Sequence, residues 1–331
     1  MKAPLKSFVR RTGWPTSVSR PVVTPLQPSV VYSSPDPDAL DAQYADASGY
    51  TYAREGHPNA EVLAEKIDML EGVDPASGGG IITGSGMSAI GAVFLGLLKA
   101  GDHVVSARAL FGSCLYVLEE VLTRFGVEVT FVDGTDLAQW KAALRPDTKI
   151  AFFESISNPA LEVADIKAIA DLAHAKGAMV MVDNVFATPV YSRALELGAD
   201  AVIYSATKHI DGQGRALAGV ILGSKEFIRG TVEPYMKHTG GSMSPFTAWM
   251  LVKGLEHMDL RVRAQTASAL HIAKGLEGHP KLTRVIYPGL ESHPQYQLCM
   301  DQIGAGGTVL AIDAGSQEAS FTLLNALGIF L

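Results

Sequence analysis

Two cysteines in 331 residues, Cys114 and Cys299, are too few for a disulfide framework, and neither sits in a metal-type pair. Charge is sparse, at 18% of residues, and no basic block exists. With 27 Lys and Arg against 34 Asp and Glu, the net charge is −7. That balance argues against a nucleic-acid binder, which needs a cationic face to displace counterions from phosphates. Long hydrophobic runs are missing too. The longest, Ile90 to Leu98, is far short of the ~20 residues that span a bilayer. Met1 to Arg11 carries basic residues with no apolar run behind them, so no secretory signal is visible. The nine histidines form no H-x-x-x-H set, which argues against a metal site. A soluble, cytoplasmic protein with neither membrane nor nucleic-acid partners is expected.

What is abundant is apolar material, 47% of the chain, with 33 Gly and 17 Pro scattered rather than periodic. At ~100–200 residues per domain the length suggests two domains, or one large α/β unit with an appendage. The first sixty residues are rich in proline and then polar through Ser48 to Pro58, and they read as an extended arm, residues 1–59. From there helical and strand patterns alternate. Leu63, Ile67 and Leu70 form one helical stripe closed by Gly72. Short apolar runs come next at Val104-Val105, Val127 to Val132, Ile150 to Phe153, Met179 to Val182 and Ala201 to Tyr204. Ile166 to Ala175 is helical in period, with Asp165 as its N-cap. Continuous rather than alternating strands imply burial on both faces, hence an α/β fold with a mostly parallel sheet over residues 60–244. One long helical pattern runs from Pro245 to Leu276, with strands after it at Leu282 to Tyr287 and Thr308 to Ile312. This predicts a smaller α+β domain, 245–331. The chain stops at Leu331 within an apparent helix, with an apolar end, so an incomplete C-terminus is expected.

Three elements bear on chemistry. Thr83-Gly84-Ser85-Gly86-Met87-Ser88-Ala89 lies between the apolar Ile81-Ile82 and a helix. Small residues at such a turn let main-chain N–H groups approach a phosphate at the helix's positive end. Gly84, Gly86 and Ala89 fit a dinucleotide fingerprint. The acid that should come about 20 residues on is misplaced, because Asp102 precedes its strand. Alone, the segment reads equally as a tight turn. Asp183 comes directly after Met179 to Val182, where α/β proteins place ligands, though a turn residue fits that position as well. Ser205-Ala206-Thr207-Lys208 comes after the run Ala201 to Tyr204. A lysine buried at a strand end has a lowered pKa and suits imine formation with a carbonyl, unless it merely closes an edge strand. Together the three supply the needs of pyridoxal phosphate: an anion cradle, an acid for the pyridine nitrogen and an imine-forming amine. Cys114 and His209 read as packing residues.

The sequence resembles the pyridoxal-phosphate enzymes of cysteine and methionine metabolism, which have the aminotransferase-like fold type I. The likeness rests on Tyr52-Ala53-Arg54, Gly84 to Met87, Glu154-Ser155 with Ser157-Asn158-Pro159, Val182-Asp183-Asn184, Ser205 to Lys208, and Thr239-Gly240-Gly241. It implies that Lys208 holds the cofactor and moves protons, and that Asp183 partners the pyridine nitrogen. The phosphate ligands would be the Gly86 and Met87 amides, in the turn opened by Ser85, with the Ser205 and Thr207 hydroxyls. Tyr52 and Arg54 would serve the phosphate site of a neighbouring subunit, which makes the protein a homo-oligomer, by resemblance a dimer of dimers. Asn158 would bond the phenolic oxygen. Phe111 stands where most relatives stack a tyrosine on the ring, and phenylalanine there is typical of O-succinylhomoserine sulfhydrylases. The implied reaction makes homocysteine from an O-acylhomoserine and sulfide. Cystathionine γ-synthase, a γ- or β-lyase, a non-catalytic relative and a nicotinamide-dependent dehydrogenase are the alternatives. The family's substrate-carboxylate arginine has no match before Leu331.

Overall fold

A computed structural model describes residues 17–46, 48–74 and 79–328, and a single large sheet organises them. Its strands, in chain order, are β1 (Gly80–Thr83), β2 (His103–Ala107), β3 (Glu128–Val132), β4 (Thr148–Glu154), β5 (Met179–Asp183), β6 (Ala201–Tyr204) and β7 (Gly219–Gly223). They lie side by side as β1-β7-β6-β5-β4-β2-β3. The β2–β3, β2–β4, β4–β5 and β5–β6 pairs are parallel, and only β7 runs against its neighbours β1 and β6. The central strands are buried on both faces: Ile150 to Phe153, Val180 to Val182 and Ala201 to Ile203 are almost wholly shielded. This is why their sequences are continuous apolar runs.

Helices cover the sheet where the sequence places their start signals. Asp165 Oδ1 accepts the Ala168 N–H at 2.9 Å and caps Ile166–His174. Ser85 Oγ accepts the Ser88 N–H at 3.0 Å and caps Gly86–Leu97. Beneath them Phe94 meets Phe152 edge-on at 5.3 Å, and Trp140 meets Phe153 at 5.7 Å.

Two expectations change. The helical pattern from Pro245 to Leu276 is two helices, Pro245–Leu255 and Met258–Leu276, separated at Glu256 and His257. A continuous helix would offer the Gly254 carbonyl to the fourth residue beyond it. Instead Arg261 Nη2 takes that carbonyl at 2.8 Å, and the helix ends. The strand β7 has no counterpart among the expected strands, because glycines at both ends leave only Val220, Ile221 and Leu222 to signal it.

Beyond the helices, β8 (Arg284–Ile286) and β9 (Ala311–Asp313) form an antiparallel pair, shorter than the predicted runs. This segment is fastened to the large sheet. Ile156, Leu161, Val163 and Ala187 pack with Cys299 and Ile303, while Gln302 accepts the Ile166 N–H at 2.9 Å and donates to the Ala164 carbonyl at 3.0 Å. The last described helix is Gln317–Ala326. The expectations for Met1 to Arg11 and Leu331 fall outside the described residues. Among the described residues no helix is long and apolar enough to cross a membrane.

Candidate active site

Parallel strands send their carboxyl ends to one edge of the sheet, and there the chain gathers its polar groups. At the end of β1, Thr83 Oγ1 donates to the Ser85 carbonyl at 2.7 Å and folds the turn back before the helix Gly86–Leu97. The first-turn N–H groups of Gly86 and Met87 have no partner within the helix, leaving positive dipole ends free for an anion. A Cβ at Gly86 would stand 2.8 Å from Ser205 Cβ and 3.0 Å from its Oγ, so only glycine lets the two segments meet. Thr207 is fixed from the opposite side: its Oγ1 accepts the Ala218 N–H at 3.0 Å. Gly86 and Ser205 thus meet at the turn that Ser85 caps, with Met87 and Thr207 each one or two residues along.

Asp183 closes β5, and its Oδ1 accepts the Val185 N–H at 3.0 Å. Burial pushes this carboxyl above its ordinary range, and the Val185 bond opposes the rise. Directly opposite in register, Glu154 closes β4. Burial first, then the Asp183 charge, pushes Glu154 up as well. Its oxygens accept the main-chain N–H groups of Phe111 and Asn158, each at 2.7 Å. In the sequence Glu154 served only as a family marker, with no role of its own. The logic applied to Asp183, a carboxylate at the end of a buried parallel strand, finds it equally well.

Lys208 comes after Ser205 on a tight turn, its N–H donating to the Ser205 carbonyl at 3.1 Å. Contrary to expectation its side chain is exposed. The turn has left the sheet by Lys208, four residues past the end of β6. The next residue is held tightly. His209 Nε2 pairs with Thr308 Oγ1 at 2.7 Å, and Arg261 Nη2 donates to the His209 carbonyl at 3.1 Å. Burial drives the His209 ring down to about 4, so it packs as a neutral imidazole. Gly212, at φ +68°, makes room for Arg261, because a Cβ there would fall on the guanidinium.

Phe111 keeps 46% of its surface exposed and turns an open aromatic face to its surroundings. Cys114, one turn on, is buried, and burial pushes its thiol up, which fits a small core residue. Tyr52 and Arg54 lie elsewhere. Tyr52 bridges to Val31, and the Arg54 guanidinium stands 5.4 Å from the Tyr52 ring centre. Glu55 links Arg54 at 3.7 Å to Lys237 at 3.6 Å. Among the described residues, none of these contacts reaches Ser85, Asp183 or Lys208 of the same chain. No group of three or more His, Cys, Asp or Glu there is arranged to hold a metal ion.

Comparison with known proteins agrees with this geometry. The model of the "Cys/Met metabolism PLP-dependent enzyme" family matches residues 8–331. An O-succinylhomoserine sulfhydrylase of Mycobacterium tuberculosis is 51% identical over 283 residues, which are 84% of this chain and 69% of the relative. One from Pseudomonas aeruginosa is 43% identical over 290 residues, 87% of this chain and 71% of the relative. Among solved structures, cystathionine gamma-lyase from Lactobacillus plantarum, complexed with L-serine, superposes with a TM-score of 0.81 at 29% identity. The match covers 88% of this chain and 73% of that one.

The residues present suit pyridoxal phosphate. The glycine-floored cradle between Gly86 and Ser205 fits a phosphate, and the buried Asp183 carboxyl, raised by desolvation, is stabilised by a cation brought against it.

Proposed function

The chain belongs to the PLP-dependent enzymes of cysteine and methionine metabolism, and on that premise we propose that it makes homocysteine from O-succinylhomoserine and hydrosulfide. The observation that carries this reading is the strand-end set of free helix amides, buried acid and lysine, with a phenylalanine at position 111. In the reaction the Cγ–O bond of the substrate breaks, succinate leaves as a carboxylate, and a Cγ–S bond forms, with no net oxidation or reduction. The cofactor, when bound, supplies an electron sink for negative charge on the substrate carbons.

Each residue then has a task. The Gly86 and Met87 amides and the Ser205 and Thr207 hydroxyls hold the phosphate, with Ser85 capping the helix that presents them. Asp183 keeps a proton on the pyridine nitrogen, Phe111 stacks on the ring and Asn158 meets its phenolic edge. Lys208 Nζ anchors the cofactor, takes the proton from the substrate α-carbon and carries protons onward. Tyr52 and Arg54 complete the phosphate site of a neighbouring copy, in a dimer or dimer of dimers. An arm at 1–59, a cofactor domain at 60–244 and a C-terminal domain at 245–331 divide this work.

The fold likeness to a cystathionine gamma-lyase supports a second reading, net elimination. Incubation with O-succinylhomoserine and either sulfide, cysteine or no acceptor separates the two. Homocysteine formed with sulfide should exceed both cystathionine formed with cysteine and 2-oxobutanoate formed without acceptor. Dominance of 2-oxobutanoate in the presence of sulfide would establish the lyase.

A further inference from the structure

Glu154 is a buried carboxylate placed beside the half-buried carboxylate of Asp183, an arrangement that costs stability. An apolar residue would fill the space more favourably. The task of Glu154 is to hold two main-chain amides from separate parts of the chain. Phe111, 43 positions away, donates its N–H to Oε1, and Asn158 donates to Oε2. Both bonds measure 2.7 Å, at the short end of the N–H···O range. The Phe111 segment has no internal substitute, since the helix Gly112–Tyr116 begins at Phe111 without a side-chain cap. Glu154 supplies from a neighbouring strand the carboxylate that a capping box takes from its own helix.

We propose that Glu154 is a positioning residue: one carboxylate fixes the main chain at Phe111 and at Asn158 together, so the stacking face and the edge contact of the cofactor are set by a single side chain. The inference rests on the cofactor-facing roles given above to Phe111 and Asn158, and it goes beyond them in assigning the group that aligns the two. Asp183 charges the site and Glu154 shapes it.

Glu154→Gln is the test. The amide keeps the shape but has one acceptor oxygen, so it turns an N–H towards one of the two main-chain donors. In the cofactor-free protein, hydrogen exchange at the Phe111 or Asn158 amide should accelerate by roughly 10-fold or more. In the cofactor-loaded protein, the visible circular dichroism of bound pyridoxal phosphate should fall by roughly half or more, reflecting a loosened ring. Glu162→Gln is the control: Glu162 lines the same small cavity as Glu154 but holds neither amide. It should change neither signal. Should Glu154→Gln fail to fold, Glu154→Asp keeps the charge but is one carbon too short to reach both amides, and the same readouts apply. Unchanged exchange and dichroism in the Glu154 variant, with dichroism altered in Phe111→Ala or Asn158→Ala, would overturn the positioning role. Unchanged dichroism in Phe111→Ala and Asn158→Ala would instead overturn the roles of those two residues, and the proposal with them.

Discussion

The ends of β4, β5 and β6 and the arm that precedes the sheet obey opposite rules. At the strand ends the key polar groups are bonded within one chain: Asp183 by Val185, Glu154 by Phe111 and Asn158, and Thr207 by Ala218. Along the arm, Val18 and Val22 are fully exposed, Val30 and Val31 more than half so, and Tyr52 displays its ring. A lone chain gains nothing from apolar side chains in water, but an arm that lies on a second copy buries them. The contrast separates the part of the proposed site that a single chain completes from the part that the arm is proposed to supply to a second copy.

The strongest test of that contrast uses two defective proteins. Lys208→Ala removes the proposed proton carrier, and turnover should fall by at least ~10²–10⁴-fold. Arg54→Ala should also be inactive, but through the neighbouring site. Refolding the two together should restore about a quarter of wild-type activity, since half of the dimers are mixed and each mixed dimer has one intact site. Borohydride reduction and peptide mapping of the wild type should place the pyridoxyl label on Lys208. Mixed dimers that form and stay inactive would show that the arm does not act across subunits.

A second test concerns the self-contained side. Tyr204 donates to Glu71 Oε1, and Asn184 Nδ2 donates to the Tyr204 hydroxyl at 2.7 Å, while Glu71 Oε2 and Asn184 Oδ1 are buried without partners. Burial pushes Glu71 up from 4.5 to about 7. Between those values the folded protein keeps a proton that the unfolded chain has released, so this group's contribution falls as pH rises. Glu71→Gln has no such proton to lose and offers an N–H towards Asn184. From pH 5 to pH 8, the difference in Tm should therefore move steadily in favour of the variant. A flat difference would mean that Glu71 is ionised throughout.

The smallest effect is expected at Phe111. A tyrosine there can carry protons, whereas a phenyl ring only stacks, worth ~0.5–1.5 kcal/mol beyond its burial. Phe111→Tyr, given O-succinylhomoserine and sulfide, should raise 2-oxobutanoate relative to homocysteine by roughly 2- to 10-fold. An unchanged ratio would leave Phe111 as a stacking residue without influence on product.

Much of the sheet and of its polar edge is legible in residue order. Buried parallel strands declare themselves as apolar runs, and the residues just past each run land at the same edge of the sheet. Asp183 and Lys208 stand out in the sequence for that reason. The exposure of Lys208 is not legible, because a run of apolar residues says where a strand is covered but not where its cover stops. Nor is the break at Glu256 and His257, which depends on Arg261 reaching back from the second helix to Gly254. The place of Glu154 is legible by the same strand-end rule, but its task is not. Its work is done on main-chain amides, and these carry no residue signature.

The grip on His209 has a mechanical consequence. Its carbonyl is held by the helix Met258–Leu276 through Arg261, and its ring by Thr308, just ahead of β9. Lys208 therefore rides on a linkage whose far anchors lie in the C-terminal segment, although its strand belongs to the large sheet. A tilt of that segment against the sheet would be felt at the turn that bears Lys208.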